Sequence, residues 1–406
     1  MAEMLPTTAP AGSLPDGFVP LAERALDFAA GQVEALVRTR PDTFPIFTVD
    51  GRWQVEENAW TNWTEGFLGG LVWIFARRTG DAWWREQAEH YSRLIEPRRF
   101  DRTVHDLGFL FISTWKRWYE MDGDPALFER VVEAGRTMAL RFNEKGRYLR
   151  SFVAPESCFI DIMMNVGVIF EAAWATGDAD LLRIATEHCL TTRRHLVRGD
   201  GSTAHEAIFD LETGAFLRPG THQGWRPDSS WARGQAWALY GFGTAFLHTG
   251  DPRFLDTAQR CADFFLDRTG AAIIPPNDWE EPDPPRPYES SAAAIAAAGL
   301  LQLARMASEP VRRERYRDAA LAILTELCSP RFLAIETPGW EGVLLHGVYH
   351  ERRELGVDES VMWGDYFFVE ALERALGAAG NGMAPGPMRA ADPGTGPGER
   401  WAPRRS

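Results

Sequence analysis

The chain has 406 residues, 45% of them apolar and 25% charged, which is the balance of a globular protein with a sizeable core and excludes collagen-like, coiled-coil and wholly disordered organisation. Forty-three basic against 57 acidic side chains give a formal charge of −14, a poor match for nucleic acid, whose binding needs clustered basic groups. Sixteen tryptophans beside eight tyrosines point to carbohydrate, because an indole is a flat apolar platform with one donor that lies well against a sugar ring.

Residues 1–19 read as a flexible N-terminal segment. Met1 to Gly17 lack the basic start and apolar run of a secretory signal. No stretch approaches the roughly 18 uninterrupted apolar residues that would span a bilayer. Cys158, Cys189, Cys261 and Cys328 are widely separated, as buried reduced thiols would be. A cytoplasmic protein without membrane contact is the expectation.

From residue 20 onward the apolar period is helical. Leu26, Ala29, Val33, Leu36 and Val37 mark one face of the first long segment. A recurring marker then joins one amphipathic run to the next: Thr79-Gly80-Asp81, Asp122-Gly123-Asp124, Thr176-Gly177-Asp178 and Thr249-Gly250-Asp251. Gly supplies a left-handed C-terminal cap, Asp accepts the free amides of the following helix, and Pro125 and Pro252 stand at its first position. The periodic segments fall near residues 20–39, 60–78, 81–97, 104–121, 125–141, 158–176, 178–197, 229–248, 251–268, 288–308, 310–328 and 360–378. Helix pairs that cannot bury their own apolar faces must stack, either as an open solenoid or as a closed ring. The irregular spacing and the lack of polar terminal caps favour closure, so one all-α toroidal domain over 20–378 is expected. The connections 142–157, 198–228, 269–287 and 329–359 hold most of the unusual residues, as loops over a rigid scaffold do when they build a site. Residues 379–406 are rich in Pro, Gly and Ala and read as a disordered tail. Oligomeric state has no signature.

Three places carry chemistry. His105-Asp106 opens an apolar helix, where Asp106 is either a functional carboxylate or an N-terminal cap. Asp161 stands inside the apolar run Phe159-Ile160-Asp161-Ile162-Met163-Met164-Asn165. Burial should raise its pKa and make it a general acid, whereas the plain alternative is a hydrogen-bonded helix-end residue. The third cluster runs from His205 through Thr221-His222-Gln223-Gly224-Trp225 to Ser230-Trp231-Ala232-Arg233-Gly234-Gln235-Ala236-Trp237. Arg233 and Trp237, four apart, would share a helix face as a carboxylate-binding fork beside a stacking platform, or simply stack on each other. Trp60 and Trp63 read as a second platform or as core. His346 and His350 have i, i+4 spacing without the Glu of a zinc helix, so no metal site is expected. No nucleophile elbow, phosphate loop or dinucleotide fingerprint is present. A hydrolase with two carboxylates remains.

The motifs resemble those of the unsaturated glucuronyl hydrolases of glycoside hydrolase family 88. The resemblance runs from about Trp60 to Leu372 and rests on five stretches in order: Trp60 to Gly70, H-D-L-G-F at 105–109, I-D-x-M-M-N at 160–165, S-x-W-x-R-G-Q-A-W at 229–237 and G-V-D-E-S-x-x-W-G-D-Y-F-F at 356–368. It implies an (α/α)6 barrel and a substrate left by polysaccharide lyases, an oligosaccharide ending in a 4,5-unsaturated uronic acid. The implied reaction hydrates the vinyl ether, so the carboxylate-separation rule of ordinary glycosidases does not apply. On the family pattern Asp161 is both the acid that protonates carbon 4 and the base that activates water, and Asp106 holds sugar hydroxyls and tunes Asp161. His205 and Arg233 would stabilise the site, Gln223 and Trp237 would touch substrate, Trp60 would stack, and His105 would lie beside them. No cofactor is implied. The chain departs from the pattern in three places. A stacking Trp expected before the acid is missing from 146–157, which hold Tyr148 and Phe152. Glu289 stands where Asp is expected. Arg353-Glu354-Leu355 replaces the Ser-Gly-Lys of members that accept sulfated disaccharides, which implies a preference for unsulfated ones. The competing expectations are an unsaturated rhamnogalacturonyl hydrolase acting on pectin fragments and, more remotely, a non-catalytic sugar-binding toroid.

Overall fold

The structure, a computed structural model, describes residues 14–54, 62–282 and 287–379. Most of the expected N-terminal segment, the expected tail beyond residue 379 and Trp60 lie outside the described residues. The helices are α1 Phe18–Thr39, α2 Glu65–Thr79, α3 Ala82–Leu94, α4 in three consecutive pieces (Leu107–Phe111, Ile112–Lys116 and Arg117–Asp122), α5 Pro125–Ala139, α6 in two pieces (Ile162–Asn165 and Gly167–Thr176) and α7 Ala179–His195. They continue with α8 Ala232–Thr249, α9 Pro252–Thr269, α10 Ser290–Met306, α11 Pro310–Leu327 and α12 Met362–Ala379.

The repeated markers work as local chemistry dictates. Asp81, Asp124, Asp178 and Asp251 accept the amides of Trp83, Ala126, Asp180 and Arg253. The glycine before each is left-handed, with φ near +70°.

Even-numbered helices form an inner ring and odd-numbered ones an outer ring. In α2 every residue from Gly66 to Ala76 is buried, whereas α3 buries only Trp84, Ala88, Tyr91 and Ser92. Contacts run α2 to α4, α4 to α6, α6 to α8, α8 to α10, α10 to α12 and α12 back to α2, so the inner ring closes as an (α/α)6 barrel. Three consecutive seams bring backbone against backbone. A Cβ on Gly66 would stand 2.2 Å from the Phe109 carbonyl oxygen, one on Gly108 2.5 Å from the Asn165 Cα, and one on Gly241 2.5 Å from the Met163 carbonyl oxygen. No side chain larger than hydrogen fits there, so these seams fix how near α4 and α6 lie to each other and to their neighbours.

The long connections carry short antiparallel strands. β1 (Thr48–Val49) pairs with β2 (Arg52–Trp53), and β3 (Phe142–Asn143) with β4 (Tyr148–Leu149). β5 (Ser157–Phe159), β6 (Glu206–Phe209) and β7 (Phe216–Gly220) form a three-stranded sheet, with Phe159 opposite Glu206. β8 (Gly347–His350) and β9 (Leu355–Glu359) make a hairpin. The β5–β6 register continues into the Ile160 amide, which donates to the His205 carbonyl at 2.9 Å and thereby draws the chain at Asp161 beside His205.

All four cysteines are buried and unpaired. No helix among the described residues is long and apolar enough to cross a membrane. Gly108→Ala is expected to destabilise the protein by about 1–3 kcal/mol, since a methyl group must push two backbones apart; a lowered thermal unfolding midpoint checks it, and an unchanged midpoint would show that the seam yields freely.

Candidate active site

Asp106 immediately precedes α4 and Asp161 immediately precedes α6, so both carboxyls sit at the starts of adjacent inner helices. Neither side chain caps its helix. The capping alternative for Asp106 is removed, and Asp161 stands at its helix end without its side chain bonding to that helix's amides. The two helix starts are tied by Asn165, fully buried, whose Oδ1 accepts the Phe109 amide at 2.8 Å while its Nδ2 donates to the Asp161 carbonyl at 3.3 Å. One side chain thus holds the backbone of one aspartate against the first turn of the helix that begins beside the other.

Each aspartate faces a histidine. His105 Nδ1 accepts the Phe152 amide at 3.1 Å, which leaves Nε2 toward Asp106, 3.4 Å from its Oδ1. His205 Nδ1 accepts the amides of His222 and Gln223 at 3.0 and 3.1 Å, which leaves Nε2 3.5 Å from Asp161 Oδ2. Backbone amides therefore select the same tautomer in both rings, with the ring N–H turned to the carboxyl. Burial, reinforced by Arg141, lowers the His105 pKa to about 3, so that ring is neutral.

The two carboxyls are held apart in acidity. Burial first, and the neighbouring Asp161 charge second, push Asp106 up to about 8. At Asp161 burial raises the pKa, but contact with His205 and the charge of Arg233 outweigh it, so this carboxyl stays below the usual carboxylate range. This corrects the sequence expectation. The apolar run around Asp161 predicted a raised pKa, yet the proton of the pair belongs to Asp106, because sequence neighbours are not the spatial neighbours that set the field. Asp161 is also the more accessible of the two, its side chain 16% exposed against 6%.

Arg233 and Trp237 differ from expectation too. The Arg233 guanidinium donates to the Val348 carbonyl and, at 2.8 Å, to the Tyr349 carbonyl, and it pairs with buried Glu289 at 3.5 Å. Its ring neighbours are Trp231 at 4.4 Å and Trp363 at 5.0 Å, not Trp237. It is a buried strut for the β8–β9 hairpin with Glu289 beside its charge, and it also lines the cavity that holds Asp106 and Asp161. Glu289, the departure noted in sequence, also accepts the Ser291 hydroxyl at 2.6 Å. Trp237 is 1% exposed and packs on Phe109 and Phe367 at 5.2 and 5.4 Å. It is packed among these rings and does not line the cavity, so no face of it is open as a platform.

Gln223 lines the cavity and donates to the Tyr349 carbonyl at 3.0 Å. Trp63, Phe152, Phe159, His222 and Tyr349 complete the wall. Of these, Phe152 comes from the stretch that lacks the expected tryptophan. Tyr148 is buried and stacked on Phe209 at 4.3 Å, whereas the Phe152 ring lies 5.5 Å from His105 and borders the cavity. Tyr349 and Phe159 carried no sequence signal beyond strand-like residue types. His350 ends β8, so the His346–His350 spacing is not helical, and His346 binds Asp358 at 2.5 Å.

The family model for Glycosyl Hydrolase Family 88 matches residues 44–248. An unsaturated glucuronyl hydrolase of Bacillus sp. (strain GL1) is 34% identical over 87% of this chain and 96% of its own. An unsaturated chondroitin disaccharide hydrolase of Streptococcus pneumoniae (strain ATCC BAA-255 / R6) is 30% identical over 86% of this chain and 91% of its own. The crystal structure of unsaturated glucuronyl hydrolase from Bacillus sp. GL1 superposes with a TM-score of 0.82 at 32% identity, covering 87% of this chain and 96% of that one.

Asn165→Leu keeps the volume but leaves the buried Phe109 amide unsatisfied, a cost of about 1–3 kcal/mol. The expected result is a lower unfolding midpoint together with a fall in kcat that exceeds any rise in KM, because the two carboxyls lose their common tie. An unchanged kcat would remove Asn165 from the site's support.

Proposed function

The chain belongs to glycosyl hydrolase family 88, and from that premise we propose how its own residues release a 4,5-unsaturated glucuronic acid from the non-reducing end of lyase-generated oligosaccharides of glycosaminoglycan type. The enzyme is a glycoside hydrolase. The observation that carries the mechanism is the pair of uncapped, sheltered carboxyls at the starts of α4 and α6, with a proton on one and not on the other.

The unsaturated uronate is a vinyl ether. Protonation at carbon 4 puts positive charge on carbon 5, shared with the ring oxygen. Water bonds to carbon 5 and gives up a proton, so one proton enters and one leaves. The resulting hemiketal opens at the bond between carbon 5 and the ring oxygen, leaving a ketone at carbon 5 and a hemiacetal at carbon 1. The hemiacetal collapses to an aldehyde and releases the neighbouring sugar. One water is consumed, and no covalent bond to the protein is needed.

Asp161, the more accessible carboxyl, delivers the proton to carbon 4 and then takes one from water. It is ionised in this structure, so it must first be charged with a proton. The substrate's own carboxylate raises the pKa of whatever carboxyl it approaches. Asp106, which carries the proton at neutral pH, is the neighbouring source. The ring N–H groups of His105 and His205 keep each carboxyl oriented. Gln223, Trp63 and Phe152 form the walls against which the sugar packs, and Arg233 acts by holding the hairpin that carries Tyr349. Among the relatives, the printed activities are on unsaturated glucuronyl and chondroitin disaccharide substrates, so the pectin-directed alternative is not favoured. We also place the preferred substrates among unsulfated disaccharides, on the strength of Arg353-Glu354-Leu355. Cytoplasmic location is part of the same reading, resting on the reduced buried cysteines.

Loss of the ultraviolet absorbance of the conjugated double bond is the assay. The unsaturated unsulfated chondroitin disaccharide should react faster than its sulfated counterpart, and no reaction with any glycosaminoglycan disaccharide would overturn the function. Asp161→Asn should lower kcat by at least about a hundredfold, the usual scale of general acid–base catalysis. A native rate would remove Asp161 from its role.

The pH dependence has a definite sign. Activity needs one proton on the pair. It should fall as pH rises through about 8, where Asp106 ionises, and fall again at acid pH, where Asp161 also protonates. Because folding raises the Asp106 pKa, the folded state holds a proton that the unfolded chain releases at neutral pH. Stability is then lost as pH rises from the ordinary carboxylate range toward 8. Asp106→Asn should therefore cut activity while flattening this loss in thermal scans between pH 5 and pH 8.

A further inference from the structure

Trp225 stands apart from the other tryptophans. It is 37% exposed, the one tryptophan among the described residues with that degree of exposure. Leaving a large apolar ring in water forfeits burial energy, and a free loop would let it fold inward. This loop is not free. The Trp225 amide donates to Asp278 Oδ2 at 2.9 Å, and the Ser229 hydroxyl donates to the same oxygen at 2.6 Å. Asp278 is itself fully buried. On either side, the Gly224 amide donates to Thr221 Oγ1 and the Arg226 amide to Ser229 Oγ, both at 2.9 Å. A Cβ on Gly224 would meet Thr221 Oγ1 at 2.8 Å, so the turn is packed closely enough to admit only glycine.

The same loop is continuous with the cavity. His222 and Gln223, three and two residues earlier in the chain, line it, and their amides anchor His205. On its outer side the loop carries the exposed pair Arg226 and Asp228, 3.1 Å apart. A partly exposed indole on a hydrogen-bonded turn, two residues along the chain from the cavity wall at Gln223 and next to planar hydrogen-bonding groups, is an arrangement that receives a further sugar ring: the apolar face of the ring on the indole, the hydroxyls on the polar edge.

Resting on the family reading above, we propose that Trp225 is the platform of an outer subsite that binds a sugar unit on the reducing-end side of the cleaved bond. It selects for oligosaccharides over the isolated unsaturated uronate and takes no part in the proton transfers. Binding there adds ground-state and transition-state affinity equally, so it acts on KM and not on kcat.

The test compares three substrates in the full chain: an unsaturated glucuronic acid carrying only a methyl group at carbon 1, an unsaturated hyaluronan disaccharide and an unsaturated hyaluronan tetrasaccharide. Trp225→Ala is expected to raise KM for the tetrasaccharide by about tenfold, equivalent to about 1.4 kcal/mol, with kcat unchanged, and to leave the methyl glycoside untouched. Trp225→Phe should recover most of the loss. Equal losses on all three substrates would show a structural role, and equal KM values for variant and native protein on all three would show no subsite; either overturns the proposal. Failure of the native protein to turn over any of the three would instead overturn the reading of the reaction itself, so the two failures are distinguishable.

Discussion

The backbone of α4 lies against the backbone of α6, with Gly108 on Asn165, and the site depends on that contact. Asp106 and Asp161 are 55 positions apart in the sequence. They share a cavity because the starts of two inner helices meet where only a hydrogen atom fits between them. Asn165 then converts proximity into fixed geometry by bonding to both backbones. The neighbouring seams at Gly66 and Gly241 extend the same constraint to α2 and α8, so the whole half of the barrel around the carboxyls is seated on main-chain contacts that have no rotamers to relax.

That geometry decides the electrostatics. Two sheltered carboxyls cannot both ionise cheaply, and their environments divide one proton between them. Asp106 has a neutral imidazole as its neighbour and takes the proton, while Asp161 lies within the field of Arg233 and in contact with His205 and remains a carboxylate. Arg233 acts without touching the carboxyls. Its charge is balanced by Glu289, so the cavity gains an electrostatic bias without an unpaired buried cation, and its two carbonyl bonds hold the strand that carries Tyr349. The tautomers of both histidines are imposed by backbone amides of the connections, which gives those loops a chemical task as well as a structural one.

Much of the fold was readable because its signals are local. Gly-Asp and Gly-Asp-Pro junctions mark helix ends through capping that involves only neighbours in the chain, and the 3.6-residue period shows which face each helix buries. The short strands in the connections were not readable, since strands of two to five residues carry little pattern and gain their partners from distant segments. Site residues divide in the same way. Asp106, Asp161, His105, His205 and Gln223 stood out as polar groups in apolar or motif-rich surroundings. Phe152, Phe159 and Tyr349 did not, because an aromatic residue looks the same in sequence whether it fills a core or walls a cavity.

By itself the sequence determined the helical hairpins and singled out two carboxyls as candidates, because caps, periodicity and lone charges in apolar runs are properties of neighbours in the chain, and the resemblance of its motifs carried the class of chemistry. Tertiary structure alone decided which carboxyl holds the proton, that Arg233 is a buried strut, and that Trp237 is packed among other rings while Trp225 is partly exposed. Each of these depends on what surrounds a side chain in three dimensions. The field at Asp161 comes from His205 and Arg233, 44 and 72 positions later in the chain, and the exposure of an indole depends on what the folded chain packs around it.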